Sequence, residues 1–285
     1  AKWPDYYFDS LPATVDVGRG SPTGVIFYEH NQFPEKYRNS FLICDWSVGR
    51  IIAVQLNQDG ATYSGSWENL VSGNPLNVSD IEVDRDGSVV FATGGRNTEG
   101  GIYRVWATPT PVTQVDFGTT IDDAMRVPQI SSAWAREVIG NVKSALGDKW
   151  EAEITGKAKN GSDKDQVRAL TIMAQFGPKP STGLLSQLAQ DDHADVRAFA
   201  TMLLGDHQGA DVVKTLTRLL SDSDARVQRR ACEAFVRSGQ PAPVGSLLPL
   251  LGGDDRWLQY AARLTLERAP VDQWRDVVLN SDNPQ

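Results

Sequence analysis

Two aspartates, one arginine and the residues beside them have the best claim to chemistry in this sequence. Asp45-Trp46-Ser47, Asn77-Val78-Ser79-Asp80 and Gly94-Gly95-Arg96-Asn97 each stand at a turn between short stretches rich in β-branched and aromatic residues. A guanidinium matches the planar geometry of a carboxylate, and an aspartate accepts hydrogen bonds from hydroxyl groups. Asp45, Asp80 and Arg96, with Trp46 and Asn97 next to them, are therefore candidates to orient a hydroxylated substrate or a cofactor carboxylate. The structural alternative is that the aspartates tie down their own turns and Arg96 pairs with one of them. Which residue, if any, is catalytic stays unknown on these grounds.

Other motifs imitate sites and then break. "EVDRDG" (82–87) places Glu82, Asp84, Asp86 and Gly87 as a calcium loop would, but Thr93 stands where the bidentate glutamate belongs. Ile81, Val83, Val89 and Phe91 alternate around it as strand residues do, so a polar hairpin is expected and no metal site. "GGRNTEGG" (94–101) resembles a phosphate cradle but lacks the Lys-Ser/Thr that completes one. His30, His193 and His207 are scattered, with no Ser or Cys partner in a recognisable motif, and read as structural or exposed. Cys44 and Cys232 are too few for a disulfide framework and read as small buried apolar residues.

The elements that must position the three turns are strands. "TGVIFY" (23–28), "SFLICDW" (40–46), "GRIIAVQL" (49–56), "TYSGSWENL" (62–70), "DIEV" (80–83), "SVVFAT" (88–93) and "GIYRVW" (101–106) are bounded by turn residues, with Asp59-Gly60 and Asp86-Gly87 as hairpin signals. In such an antiparallel meander alternate connections return to the same edge, so Asp45-Trp46, Arg96-Asn97 and the turn before Asp80 should converge on one end.

After Thr108-Pro109-Thr110-Pro111 the composition turns to Ala, Leu and Arg. A connector (108–162) with helical stretches around 132–146 leads into a repeat: "QVRALTIMAQFG" (166–177), "DVRAFATMLLGD" (195–206), "RVQRRACEAFV" (226–236) and "WLQYAARLTLE" (257–267). They align on Val167, Val196, Val227 and Leu258, at spacings of 29, 31 and 31, with a small residue one helical turn later at Thr171, Ala200, Ala231 and Ala262. Second helices fall between them at 182–190, 210–220, 242–251 and 271–279, and Asp195, Asp224 and Asp255 stand where N-caps are wanted. The pattern resembles HEAT-type repeats, helix pairs that bury their apolar faces only by stacking.

Composition narrows the partners. The 285 residues suffice for about two domains with cores, and 40% hydrophobic with 22% charged residues is ordinary globular usage. A net charge of −8 and a pI near 5.0 argue against a nucleic-acid partner. The longest apolar runs, such as "FLIC" (41–44), fall far short of the roughly 20 residues of a membrane span. No signal-type apolar segment precedes the strands, so a processed form or a piece of a longer chain is expected.

Two stretches of the strand region share a layout of propeller blades: an opening strand, a strand ending near Asp45 or Thr93, then "GRIIAVQL" or "GGIYRVW". Residues 21–51 and 79–105 resemble the last blades of the sorbosone and glucose dehydrogenase propeller family. The order of blade, "GGR…GGIYRV", connector and HEAT-type repeats is similar to large exported bacterial proteins of the membrane-bound-dehydrogenase type, abundant in planctomycetes. The resemblance implies a multidomain β + α fold: about two blades of a partial propeller (1–107), a connector (108–162) and a HEAT-like α-solenoid (163–285). Since a propeller ring needs about four to eight blades, it implies a segment lacking most of any active site.

Family members carry pyrroloquinoline quinone, with calcium. The resemblance implies an extracytoplasmic location and carbohydrate-related oxidation or recognition; if the chain is an enzyme, it is a quinone-type sugar or alcohol dehydrogenase. Basic residues hold the quinone in soluble members, where this chain has Ser47, Asn77 and Ser79, so no cofactor is expected to bind this segment alone. The alternative is a non-catalytic scaffold whose modules only bind partners: a protein on the HEAT surface and a sugar-like molecule on the rim.

Overall fold

The computed structural model describes residues 10–108 and 116–280. The composition change at Thr108-Pro109-Thr110-Pro111 falls largely outside them. Seven strands form two open antiparallel sheets. The first, in spatial order, holds β1 (Pro22–Tyr28), β2 (Ser40–Asp45), β3 (Arg50–Asp59) and β4 (Thr62–Ser72). The second holds β5 (Val78–Val83), β6 (Val89–Gly95) and β7 (Thr98–Val105). Every strand expected from the alternation is present, in two open sheets that do not close into a ring.

Period-two alternation builds the core between the sheets. Leu42 and Cys44 of β2, Ile51 and Ala53 of β3, Ile81 and Val83 of β5, and Val89 and Phe91 of β6 pack in one apolar cluster with Tyr28, Phe33 and Val78. Burying each of the larger side chains contributes about 1.5–3 kcal/mol. Truncating one, as in Phe91→Ala, is expected to cost about 3–5 kcal/mol because the cavity adds to the lost transfer energy. Register fixes the turns: Asp45 stands opposite Arg50, and Gly95 opposite Thr98.

The described part of the connector is more structured than its sequence pattern suggested. A capping box between Thr120 and Asp123 opens α1 (Ile121–Arg126), and α2 (Ala133–Leu146) follows. Between them the fully buried Gln129 sets its amide against the backbone at the end of β1, donating to the Phe27 carbonyl at 2.7 Å and accepting from the Glu29 N–H at 2.9 Å. The Ser132 hydroxyl donates to the Glu82 carboxylate, and the Trp134 indole to the Val83 carbonyl at 2.8 Å. The chain divides into two compact units. One holds Ala13–Asn57 and Tyr63–Trp150, the other Gln58–Thr62, Glu151 onward and, among the described residues before β1, 10–12.

The second unit is helical. After α3 (Trp150–Asn160) the helices run α4 (Asp163–Phe176), α5 (Thr182–Leu188), α6 (Ala194–Leu204), α7 (Ala210–Leu219), α8 (Ala225–Ser238), α9 (Val244–Leu251), α10 (Arg256–Leu266) and α11 (Val271–Leu279). The first helices of successive pairs, α4, α6, α8 and α10, pack side by side, with α5 against α6, α7 against α8 and α9 against α10. Val196, Ala200, Val227, Ala231, Leu258 and Ala262 are buried at the positions that the repeat assigns. In the first copy Val167 and Thr171 are only half-buried, and Ala169, Leu170, Ile172 and Met173 take over the core. Asp224 and Asp255 cap α8 and α10 through paired backbone N–H bonds. Asp195 does not cap: His193 is the N-cap of α6, and Asp195 lies in its first turn.

Candidate functional site

Each turn of the strand unit shows how its side chains are spent. Asp45 is buried at the end of β2, where one carboxylate oxygen accepts from the Ser21 N–H at 2.8 Å and the other from Arg50 Nε at 3.1 Å. Burial alone would raise its pKa, but the Ser21 bond and the Arg50 guanidinium overcome that and hold it below the ordinary carboxylate value. Arg50 is anchored in turn by the Val17 carbonyl at 2.9 Å and lies over the Trp67 ring, 4.9 Å from its centroid. Asp45 is therefore consumed by its own turn. Asp80 is exposed; it accepts from the Ile81 N–H at 2.9 Å and lies so close to β1 that a Cβ on Gly24 would meet its Oδ1 at 2.9 Å.

Trp46 and Arg96 come together. The Trp46 indole donates to the Gly94 carbonyl at 2.7 Å, its own carbonyl accepts from Asn77 Nδ2 at 3.0 Å, and the Gly94 N–H closes back on the Asn77 carbonyl at 3.0 Å. This ties the β2–β3 turn, the start of β5 and the end of β6 into one rim. The Arg96 guanidinium sits over the Trp46 ring, 5.4 Å from the centroid. Arg96 and Asn97 form the two-residue β6–β7 turn, and both have positive φ, 51° and 65°. A turn with positive φ at both central positions favours Asn-Gly, so an arginine at the first is held against backbone preference. Neither Asp45 nor Asp80 forms an ion pair with Arg96 among the described residues. The rim thus brings Trp46, Arg96 and Asn97 together, while both carboxylates are turned to other partners.

The acids of "EVDRDG" point to different partners. Arg104 of β7 bonds Asp84 and, at 3.0 Å, Asp86. Asp86 also accepts from Ser88 N–H at 2.8 Å, and Glu82 is engaged by Ser132. Among the described residues no group of three or more His, Cys, Asp or Glu side chains could hold a metal ion. The Cys44 thiol is pushed up to about 12, chiefly by burial and then by the Asp80 charge, and burial drives Cys232 to about 12 as well. Neither is a thiolate near neutral pH.

Sequence reasoning did not find Arg50 or Gln129. The five-residue spacing Asp45…Arg50 across a tight turn was available as a signal, since it places the two residues opposite each other on paired strands. Nothing local marks Gln129, whose backbone partners Phe27 and Glu29 are about a hundred residues away.

In the helical unit the side chains that matter are ties between repeats. Arg197 of α6 makes a bidentate pair with Asp222, in the loop before α8, at 2.9 and 2.8 Å, and Arg226 of α8 reaches back to Asp195 at 2.7 Å. The bond to Asp222 raises the Arg197 pKa further. Fork-to-carboxylate geometry fixes the offset of one helix pair on the next. Among the described residues no helix is long and apolar enough to cross a membrane.

Residues 181–267 match the HEAT repeats family. No curated protein matches the chain significantly. The match covers α5 to α10 and begins after the first copy, the one whose aligned positions are only half-buried. The helical unit is, in consequence, a HEAT-like array of stacked helix pairs.

Proposed function

We propose that the chain is a non-catalytic interaction scaffold whose helical unit binds a protein partner. The observation that carries this reading is the row of side-by-side helices α4, α6, α8 and α10, in which the Arg197–Asp222 and Arg226–Asp195 pairs tie α6 to α8 and residues 181–267 match HEAT repeats. Such arrays offer long, regular surfaces whose neighbouring repeats support one another. The test uses the full chain as bait, identifies the captured protein, and measures its binding in purified form. Charge reversals at the exposed Lys164, Asp211 and Lys214 are then scanned. At least one is expected to weaken binding about tenfold or more without shifting the melting temperature; no effect at any of them would count against a helical binding face.

A second reading is favoured by the guanidinium of Arg96 on Trp46: recognition of a carboxylate-bearing or sugar-like ligand at the rim of the strand unit. Oxidation by a quinone would require cations near its carboxylates, and Ser47, Asn77 and Ser79 offer hydroxyls and an amide instead, so recognition is placed ahead of dehydrogenase chemistry. A dye-reduction assay with pyrroloquinoline quinone, calcium and aldose sugars should give no turnover above background. Turnover lost on Arg96→Ala would reverse that order.

A further inference from the structure

His30, two residues past β1, is only 5% exposed. Its Nδ1 accepts two backbone N–H bonds, from Asn31 at 3.0 Å and Gln32 at 3.3 Å. A ring nitrogen that accepts carries no proton, so the proton of the neutral ring sits on Nε2, while a hydrogen bond with the Arg85 backbone favours the charged ring. The neighbours therefore dictate a neutral imidazole of one tautomer. The ring also presses on the β5–β6 turn: Gly87 has φ +82°, and a Cβ there would stand 2.1 Å from Nδ1. Tyr28 completes the clamp, donating to the Gly87 carbonyl at 2.8 Å, accepting from the Phe33 N–H at 3.1 Å and stacking on Phe33 at 4.9 Å. Gln32, one of the two N–H donors to the His30 ring, exchanges two amide bonds with Ala107, at 2.9 and 3.0 Å, just beyond β7.

We infer that His30 is a proton-sensitive latch: its neutral ring holds the loop after β1 against the β5–β6 turn and, through Gln32, grips the chain where it leaves β7. Protonation puts a hydrogen on Nδ1 facing two other donors, and both bonds are lost. Asp86 favours the charged ring, and its oxygens are held in place by Ser88 and Arg104. Arg38, from the segment after a short 3-10 helix (Glu35–Tyr37), opposes the charged ring. Burial pushes Tyr28 up to about 12, so it stays neutral. The Arg85 guanidinium lies over the Phe117 ring, 5.7 Å from its centroid.

Burial, ahead of Arg38, holds the His30 pKa below its ordinary value of 6.5. An open loop then binds more protons than the closed one, so the latch is at full strength above about pH 6.5 and weakens as pH falls through the folded pKa. Hydrogen exchange of the full chain, corrected for intrinsic rates, tests this between pH 7.5 and 5.5. Segments 29–34 and 105–108 are expected to exchange up to about tenfold faster per pH unit below 6.5, with 40–56 unchanged. His30→Asn keeps an acceptor near the Nδ1 position and cannot titrate, so its exchange should lose that pH dependence. Equal responses in the two proteins overturn the latch. Should the variant not fold, nitrogen NMR of the native imidazole decides. The latch predicts an unprotonated Nδ1 at pH 7.5, and Asn31 and Gln32 amide shifts that follow its protonation. A protonated Nδ1 at pH 7.5, or amides that ignore the titration, overturns it.

Discussion

At Arg96 the backbone pays a cost that glycine would avoid, and the guanidinium recovers part of it by stacking on Trp46. A non-glycine residue in the left-handed region costs on the order of 1 kcal/mol, and an exposed cation–π contact returns about 0.5–1 kcal/mol. Arg96→Gly is thus expected to leave stability within about 0.5 kcal/mol of the parent by urea titration while removing any carboxylate binding at the rim. A loss of several kcal/mol would make Arg96 a structural residue. Asp45 is the opposite case. Its side chain is 4% exposed and its partner Arg50 10%, so Asp45→Asn, which leaves a buried cation unpaired, should cost about 3 kcal/mol. Because its folded pKa lies below the ordinary 3.8, its contribution is complete above about pH 4 and fades as pH falls through the depressed value. Acid titration of the parent and of Asp45→Asn, followed by circular dichroism, should converge at the lowest pH.

The helices test the repeat register. Ala231 is fully buried on α8 between α6 and α10, whereas Lys214 is exposed on α7. Ala231→Trp should overpack that contact and cost about 1–3 kcal/mol or more, and Lys214→Ala about 0.5 kcal/mol at most; equal melting shifts would contradict the stacking. These elements were legible because alternation and the 29- to 31-residue repeat are properties of local sequence, and burial at Val196, Ala200, Val227, Ala231, Leu258 and Ala262 follows the alignment. Three features were not legible, each for a physical reason. The first copy sits at the start of the helix row, so its aligned Val167 and Thr171 are half-buried and its core face rotates to Ala169, Ile172 and Met173. Asp195 looked like a cap by position, but the ion pair from Arg226 and its place in the first turn give it another job. Gln129 acts across about a hundred residues, and no window of sequence reports that.

At the scale of the molecule, two compact units each bury their own core. The strand unit extends to Trp150, and Gln129, Ser132 and Trp134 supply hydrogen bonds to β1 and β5 that a piece ending at residue 107 would lose. Residues 13–150 expressed alone should therefore melt cooperatively, and residues 13–107 should not, since free edges and unsatisfied backbone groups remain. A sharp transition in the shorter piece, or none in the longer, would refute that division of labour. The surface proposed to bind a protein is the helical unit. Cross-linking mass spectrometry of the full chain with the purified captured protein decides the point: cross-links are predicted to fall on 163–280, including Lys164, Lys179 or Lys214, and to be lost with a charge reversal that abolishes binding. Cross-links confined to Ser47, Tyr63, Tyr103 and other residues of the strand unit would contradict it.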